Sequence, residues 1–295
     1  MVQRNLRLYW SMVRYGMAHN RDFAREHWTF FKRMRDELAG RGVTFENKRV
    51  LDVGCGKSCW LTILFHSAGA KATGLDVEVV KPGFSISKYV RMFRKNGLER
   101  TARTLVWELV FAGPYYRQLG READMELRVE GVEARAMSVD AMEFEDNTFD
   151  LVVSHEVFEH LPKVDAALAE IERVMKPDGV TYLYIHNYAS ISGGHHIAWK
   201  YPDTEPSDIV PPWDHLRENR FPEIPSWINR VREGEFRELF EKRFEILDWY
   251  PHSFEAEKLL TSEIVAELGD YSREELLTKG FVVVAQPRAK EGADR

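Results

Sequence analysis

Hydrophobic residues along this chain follow two patterns that alternate. Short runs of mostly apolar, β-branched residues are typical of buried strands, and they occur at residues 49–53, 71–77, 133–140, 149–154, 180–185, 244–250 and 280–285. Between them, apolar residues recur at helical spacing at about 58–68, 164–175 and 234–242, and one or two further helices are expected between 255 and 278. Alternating strands and helices predict an α/β fold with a largely parallel sheet.

Four segments fall outside this alternation. The first 40 residues are predicted to form two helices. Two roles stay open for this segment, namely a helical arm or lid (1–42) and helices packed on the sheet. Proline and aromatic residues concentrate in a long loop, which we expect to be a functional cover. The ranges are the arm (1–42), the main domain (43–286) with its helical insertion (78–132) and its loop (187–230), and a frayed tail (287–295).

Composition excludes several classes of protein. The chain has 295 residues, 44% hydrophobic and 30% charged, with a net charge of −6, which is typical of a globular domain and predicts no general attraction to DNA. The sequence contains neither an apolar run of about 20 residues nor a secretory signal. Its two cysteines, Cys55 and Cys59, flank one turn and fit a reducing compartment, so we predict a cytoplasmic protein.

One segment is basic in this acidic chain. Residues Lys81 to Arg103 include seven basic residues and one acid, interleaved with apolar residues. The pattern predicts an amphipathic helix. Three roles stay open, namely a solvated surface, a pocket wall for an anionic acceptor, and a peripheral contact with lipid.

The first predicted strand ends in a glycine turn, Val50-Leu-Asp-Val-Gly-Cys-Gly-Lys-Ser58. Gly54 and Gly56 allow a ligand to lie against the backbone before the following helix. A dinucleotide site would need a third glycine where Cys59 stands, and Asp52 would repel a diphosphate. The turn therefore favours a cationic ligand that carries an amino group and a sulfonium.

This turn resembles the first motif of class I S-adenosylmethionine (SAM) dependent methyltransferases, with Ser58 at the position of a frequent third glycine. The order of predicted elements over 49–186 is similar to that family, apart from the insertion. The resemblance implies a Rossmann-like, seven-stranded, doubly wound sheet whose last strand is antiparallel. It also implies SAM as the cofactor.

Candidate SAM contacts follow from the motif and the resemblance. Asp76 lies 24 residues after Asp52, near the spacing of about 20 residues at which such folds present an acid to a ribose, and a carboxylate accepts both hydrogen bonds of a cis-diol. The remaining roles are implied by the family. The predicted cofactor-binding residues are Asp52, Gly54, Cys55, Gly56, Asp76, Val77, Asp140, Ala141, Ser154 and His155.

Methyl transfer to an oxygen requires a base or a metal to activate the acceptor. The candidate bases are His155, His195, His196 and His215, and His186 is a further candidate. The segment after residue 154 resembles the ubiquinone-biosynthesis O-methyltransferases of the type 11 group. In those enzymes, residues matching Glu156, Glu159 and His160 are thought to hold a divalent ion, but for this chain we predict no metal.

We therefore predict an enzyme of class EC 2.1.1.- that methylates a hydroxyl of a small molecule, such as a sugar or a lipid-linked metabolite. The basic helix leaves methylation of RNA or protein as an alternative. SAM binding without turnover is another. The sequence does not fix the oligomeric state.

Overall fold

The computed structural model of this protein describes residues 2–77, 86–221 and 227–289. Five of its seven strands carry mostly buried side chains, as the apolar runs predict, whereas the two edge strands, the third and the sixth, are mostly exposed or half-buried. The seven strands are β1 (Arg49–Val53), β2 (Lys71–Asp76), β3 (Glu133–Ala136), β4 (Phe149–His155), β5 (Met175–His186), β6 (Phe244–Phe254) and β7 (Thr278–Pro287).

Eight α-helices separate the strands, in the described residues. They are α1 (Val2–Gly40), α2 (Trp60–Ser67), α3 (Ile86–Val106), α4 (Gly113–Ala123), α5 (Val164–Val174), α6 (Glu233–Glu241), α7 (Ser262–Glu267) and α8 (Arg273–Leu277). A π-helical segment, Trp107–Ala112, joins α3 to α4. Within the described parts of the chain, no helix is both long and apolar enough to cross a bilayer.

The strands form one sheet in the order β3-β2-β1-β4-β5-β7-β6. β1 pairs with β2, β2 with β3, and β4 with β5, all in parallel. β7 lies between β5 and β6 and runs antiparallel to both. The predicted seven-stranded, Rossmann-like sheet with an antiparallel last strand is therefore confirmed.

The chain divides into two compact units, residues 1–136 and 137–295. In the first unit, α2 buries Phe65 against Phe31 and Phe45, at ring-centroid distances of 5.1 and 4.8 Å. In the second unit, β7 is almost wholly buried. The helix α5 buries an apolar stripe that includes Leu168 and Ile171. Apolar burial of this extent is what stabilises each unit.

Three predicted elements differ from the structure. Residues 2–40 form one helix and not two, since the sequence between the two predicted helices contains no proline and a helix continues through such a stretch. β3 ends at Ala136, where its pairing with β2 ends, and not at Asp140 as predicted. The predicted turn at 176–179 is an irregularity inside β5, because Met175 pairs with Phe149 and Val180 pairs with Leu151.

Some predictions concern residues that the structure does not describe. Lys81 in the basic segment, Pro222 and Pro225 in the loop, and residues 290–295 of the tail lie outside the described residues. So do the side chains of residues 2–19 and, within α3, those of Lys88, Arg91, Lys95, Arg100 and Arg103. The predicted domain boundary at residue 42 stays a prediction.

Candidate active site

The glycine turn after β1 is held at the end of β2 in the first unit. Gly54 and Gly56 have φ angles of 77° and 58°, a left-handed backbone that glycine adopts without steric cost. The amides of Gly54 and Cys55 donate to the Leu75 carbonyl at 2.7 and 3.0 Å. The turn is therefore fixed in place by β2 before any ligand binds.

Asp76, the last residue of β2, completes this turn. Its Oδ2 accepts a hydrogen bond from the Gly56 amide at 3.1 Å. A Cβ placed on Gly56 would meet no described atom within 4 Å, so the surface above Gly56 and beside the carboxylate is open. Val77, which follows, is exposed. An acid beside an open, amide-lined turn fits the diol of a ribose.

Asp52 lies below the turn and not on its surface, which corrects our sequence argument that this carboxylate faces the ligand. Its side chain is 2% exposed, and Oδ2 accepts from the Thr62 amide (3.0 Å) and hydroxyl (2.5 Å). In the described structure Cys59, the N-cap of α2, makes no side-chain cap, so Asp52 takes that role from β1. Burial raises the pKa of Asp52 to about 7, although the Thr62 bonds oppose it.

Cys55 and Cys59 support the same turn from inside. Both are buried and free, with their Sγ atoms 3.8 Å apart, which is too far for a disulfide. They pack with Ile63, Val132 and Ala134. The two thiols are therefore part of the apolar base of the turn.

The predicted adenine-binding residues occur in the second unit. Asp140 accepts from the Ser138 hydroxyl and lies 3.4 Å from Lys163 Nζ. These contacts, chiefly the one with Ser138, lower the pKa of Asp140. Ala141 beside it is exposed, whereas Ser154 at the end of β4 is fully buried.

A cluster of histidine rings lies where β4 and β5 end. The rings of His160 and His195 have centroids 4.8 Å apart, and those of His186 and His195 are also 4.8 Å apart. His186 is the last residue of β5. Since carboxyl ends of parallel strands lie at one edge of a sheet, this is the edge at which such folds bind ligands. We call His160, His186 and His195 the imidazole cluster.

Two acids adjoin the imidazole cluster in different ways. Glu156, with φ 55°, lies 3.9 Å from His155 Nδ1 and 4.0 Å from His186 Nδ1. Although desolvation opposes it, the electrostatic interactions of Glu156 with His155, His186 and Lys279 lower its pKa to about 2. Glu159 is 2% exposed, and neither of its carboxylate oxygens has a hydrogen-bond partner among the described residues.

His186 and His195 are held in their neutral form. Burial lowers the pKa of His186 to about 3 and that of His195 to about 4, and neighbouring imidazoles add to both shifts. Burial also lowers the pKa of His155, whose ring packs on Tyr184. Neutral imidazoles at pH 7 keep a nitrogen lone pair, which can accept a proton or bind a metal ion.

A buried chain of polar groups orients His186. Its Nε2 is 2.9 Å from Ser192 Oγ, and that hydroxyl donates to Glu255 Oε1 at 2.5 Å. Because the hydroxyl proton is directed at Glu255, Ser192 accepts from Nε2–H of His186. No pattern in the sequence indicated Glu255, whereas the position of His186 directly after a predicted strand marked it as a candidate.

His196 and His215 have structural partners apart from the cluster. His196 Nδ1 accepts from the Ala198 amide at 3.0 Å and so caps a short 3₁₀ helix. His215 Nε2 donates to the Tyr188 carbonyl at 2.9 Å, and burial lowers the pKa of His215 to about 4. Of the four predicted bases, His195 alone therefore lies in the imidazole cluster. His155 lies beside Glu156, which adjoins that cluster.

The predicted loop at 187–230 shares an apolar core with residues 256–276. Trp199 and Trp213 are buried, and the Trp213 indole donates to the Ala189 carbonyl at 3.1 Å. Asp214 then accepts from the amides of Arg220 and Phe221 at 3.3 and 3.0 Å. These anchors fix the loop that carries His195.

A possible set of metal ligands overlaps the imidazole cluster. Donor atoms of Glu159, His160 and His195 lie within 4.8 Å of one another. His160 Nδ1 is 2.9 Å from the Trp227 carbonyl, so its Nε2 is the available nitrogen. Two imidazoles and a carboxylate suit Zn²⁺, Mn²⁺, Fe²⁺ or Co²⁺. The structure groups Glu156 with His155 and His186, which differs from the Glu156, Glu159 and His160 set implied by the resemblance.

Comparison with known proteins identifies the family. Residues 17–245 match the family described as methyltransferase domain. A SAM-dependent methyltransferase from Mesorhizobium loti is 14% identical, with a TM-score of 0.48 over 86% of this chain and 96% of that one. One from Methanosarcina mazei is 18% identical, with a TM-score of 0.48 over 85% and 97%. No curated protein matches the sequence. On the family match, this chain belongs to the methyltransferase domain family and is a class I SAM-dependent methyltransferase.

Proposed function

We propose that this methyltransferase acts on a hydroxyl group of a small-molecule acceptor and that His195 removes the hydroxyl proton. The observation that carries the proposal is the imidazole cluster at the ends of β4 and β5, where His195 contacts His160 and His186 and where His186 lies 4.0 Å from the carboxylate of Glu156. A neutral base supported by acids suits the activation of an oxygen nucleophile, which reacts poorly while it is protonated.

For the donor, we assign the ribose to Asp76 and the close backbone contact to Gly54, Cys55 and Gly56. Support comes from the fixed turn, the open surface above Gly56 and the carboxylate that Gly56 orients. Asp52 supports the turn through Thr62.

The other donor contacts rest on the family resemblance. Val77 continues from Asp76, Asp140 and Ala141 would contact the adenine, and Ser154 and His155 the methionine moiety. Because the Ser154 side chain is fully buried, we assign its contact to the backbone.

His195 suits the role of base better than its neighbours. It is half-buried, whereas His186 is buried and hydrogen-bonded to Ser192. Bound SAM supplies an electrophilic methyl group on a sulfonium. As the hydroxyl oxygen forms its bond to the methyl carbon and the carbon–sulfur bond breaks, the hydroxyl proton moves to His195. Glu156, whose pKa is lowered, stabilises the resulting imidazolium.

A second candidate is activation of the acceptor by a divalent cation. The specific observation in its favour is Glu159, a buried acid whose oxygens lack a hydrogen-bond partner in the described structure. Burial raises the pKa of Glu159 well above its ordinary value. A cation held by Glu159, His160 and His195 would offset the free-energy cost of burying the charged form of Glu159. It would also lower the pKa of a bound hydroxyl.

The test is release of S-adenosylhomocysteine by the purified chain with SAM and a panel of hydroxyl-bearing sugars, phenols and lipid-linked alcohols. We expect turnover with one acceptor class. His195→Gln should lower its rate by about 10² to 10⁴-fold, the usual contribution of a general base, and should bind SAM as tightly as the parent.

His196→Asn is the matched control, because it keeps a side-chain acceptor for the Ala198 amide. Its rate should stay close to that of the parent, and an equal loss in both variants would remove the assignment of His195. Turnover with RNA or protein alone would support the alternative acceptors. SAM binding without product from any acceptor would favour a binding protein.

A further inference from the structure

The segment between Ile86 and Val110 presents an unusual number of apolar side chains to solvent. Among the described residues, seven of the thirteen exposed large hydrophobic side chains lie in this one stretch of the chain. Single exposed apolar residues are normal, but a concentration of them marks an interaction surface.

These side chains follow helical spacing on both sides of Gly97, where the α3 backbone is non-helical (φ 80°, ψ 175°). The first stripe runs at i, i+4 and i+7, which places its members on one face of a helix. The exposed stripes are Ile86, Val90 and Phe93 before Gly97, and Leu98, Val106, Leu109 and Val110 after it. We call these two stripes the apolar surface.

The opposite side of the segment is packed into the first unit. Met92, Thr104 and Phe111 are buried, and Tyr89 before the kink donates a hydrogen bond to Glu108 after it. Trp107 contacts Tyr115 of α4, with ring centroids 5.7 Å apart. The segment is thus anchored on one side while the apolar surface stays outside.

Charge indicates what this surface binds. The sequence from Ile86 to Val110 contains six basic residues and two acids, in a chain whose net charge is −6. Arg94, the one of these cations whose side chain is described, is exposed. Amphipathic helices that combine basic and exposed apolar residues lie in the interface of anionic bilayers, with the apolar side chains inserted among the lipids.

We propose that the apolar surface binds the protein to an anionic lipid bilayer as a peripheral contact. The basic residues of the segment would draw it to the negative surface, and the two stripes would enter the headgroup region. Large exposed residues such as Ile86 (73%) and Leu98 (71%) are already free of protein contacts over most of their area. Binding therefore requires no unfolding of the segment.

Co-sedimentation of the full chain with lipid vesicles tests this. We expect binding to vesicles in which about a third of the lipid is phosphatidylglycerol and the remainder phosphatidylcholine, and much less to phosphatidylcholine alone. Raising the salt concentration from about 0.05 to 0.5 M should weaken the binding several-fold, because salt screens the attraction.

The double variant Phe93→Ser/Leu98→Ser should bind the anionic vesicles at least about tenfold more weakly, because each apolar side chain contributes its transfer from water to lipid. Ile209→Ser/Phe254→Ser is the matched control. It changes one aliphatic and one aromatic residue with similar exposures of 79% and 61%, in the second unit, and should bind as the parent does. Circular dichroism checks that both variants fold.

Three results would overturn the proposal. They are equal binding by the two double variants, absence of binding to any vesicle, and a dimer in sedimentation velocity that the Phe93→Ser/Leu98→Ser variant loses. Salt-dependent retention of RNA without vesicle binding would overturn it too, since the basic residues would then serve a nucleic acid.

Discussion

Replacing Asp52 by asparagine tests the role that the structure gives this buried acid. The variant keeps an oxygen that accepts from the Thr62 amide and hydroxyl, as Oδ2 now does. It removes the titratable carboxyl, whose pKa burial raises from 3.8 to about 7. The substitution therefore isolates the free energy of burying the charge.

The sign and size of the stability change follow from the linkage between protonation and folding. Because the folded pKa of Asp52 lies above the unfolded pKa, its contribution to stability is full below about pH 4 and is lost as the pH rises through 7. Between pH 5 and the folded pKa of about 7, each pH unit lowers the free energy of unfolding of the parent by about 1.4 kcal/mol. Over this pH range, the free energy of unfolding of the asparagine variant should therefore rise by about 3 kcal/mol relative to that of the parent.

Urea unfolding followed by circular dichroism at pH 5 and pH 8 measures the difference. Thr62→Val is the companion variant. It removes the 2.5 Å hydroxyl donor to Asp52, so its loss of stability should be larger at pH 8 than at pH 5. A difference between Asp52→Asn and the parent that stays constant with pH, or that moves in favour of the parent at pH 8, would refute the reasoning.

Three further predictions concern the turn and the metal ligands. Asp76→Asn should weaken SAM binding in calorimetry by about 10- to 100-fold, the value of hydrogen bonds to a charged group, and unchanged affinity would contradict the ribose assignment. Gly74→Ala should lower the free energy of unfolding in urea by about 1–3 kcal/mol, because its Cβ would lie 2.8 Å from Cys55 Sγ. Gly234→Ala, whose Cβ would meet no described atom within 4 Å, should cause no loss, and equal loss in both would contradict this packing. If a divalent cation binds, Zn²⁺ should raise the melting temperature of the chelator-treated parent and of Glu156→Gln but not of Glu159→Gln, whereas loss of the effect in both variants would favour the ligand set implied by the resemblance.

The sheet could be predicted from the sequence because the pattern that indicates each strand lies within the strand and its immediate neighbours. A run such as Val50 to Val53 between a charged residue and a glycine turn needs no distant information to be recognised. The irregularity at 176–179 could not be foreseen, since proline and glycine there do favour a turn, and hydrogen bonding to β4 decides that the strand continues around it.

The imidazole cluster depends on contacts between distant residues, which a single sequence does not record. His160 and His195 are 35 positions apart with α5 and β5 between them, and buried tryptophans anchor the loop that carries His195. Four loop and strand-end histidines were equally plausible as bases, and the hydrogen bonds of His196 and His215 became visible only in the structure. Similarly, the Asp52 carboxylate has the right position for a ligand contact in sequence, but its side chain points towards α2.

Calorimetric titration of the full chain with SAM and, separately, with NAD⁺ tests the central claim most directly. A turn with an oriented Asp76, and with Cys59 where a dinucleotide site needs its third glycine, should bind the cationic donor at one site in the micromolar range and should leave NAD⁺ unbound. Binding of NAD⁺ together with no heat from SAM would contradict the account.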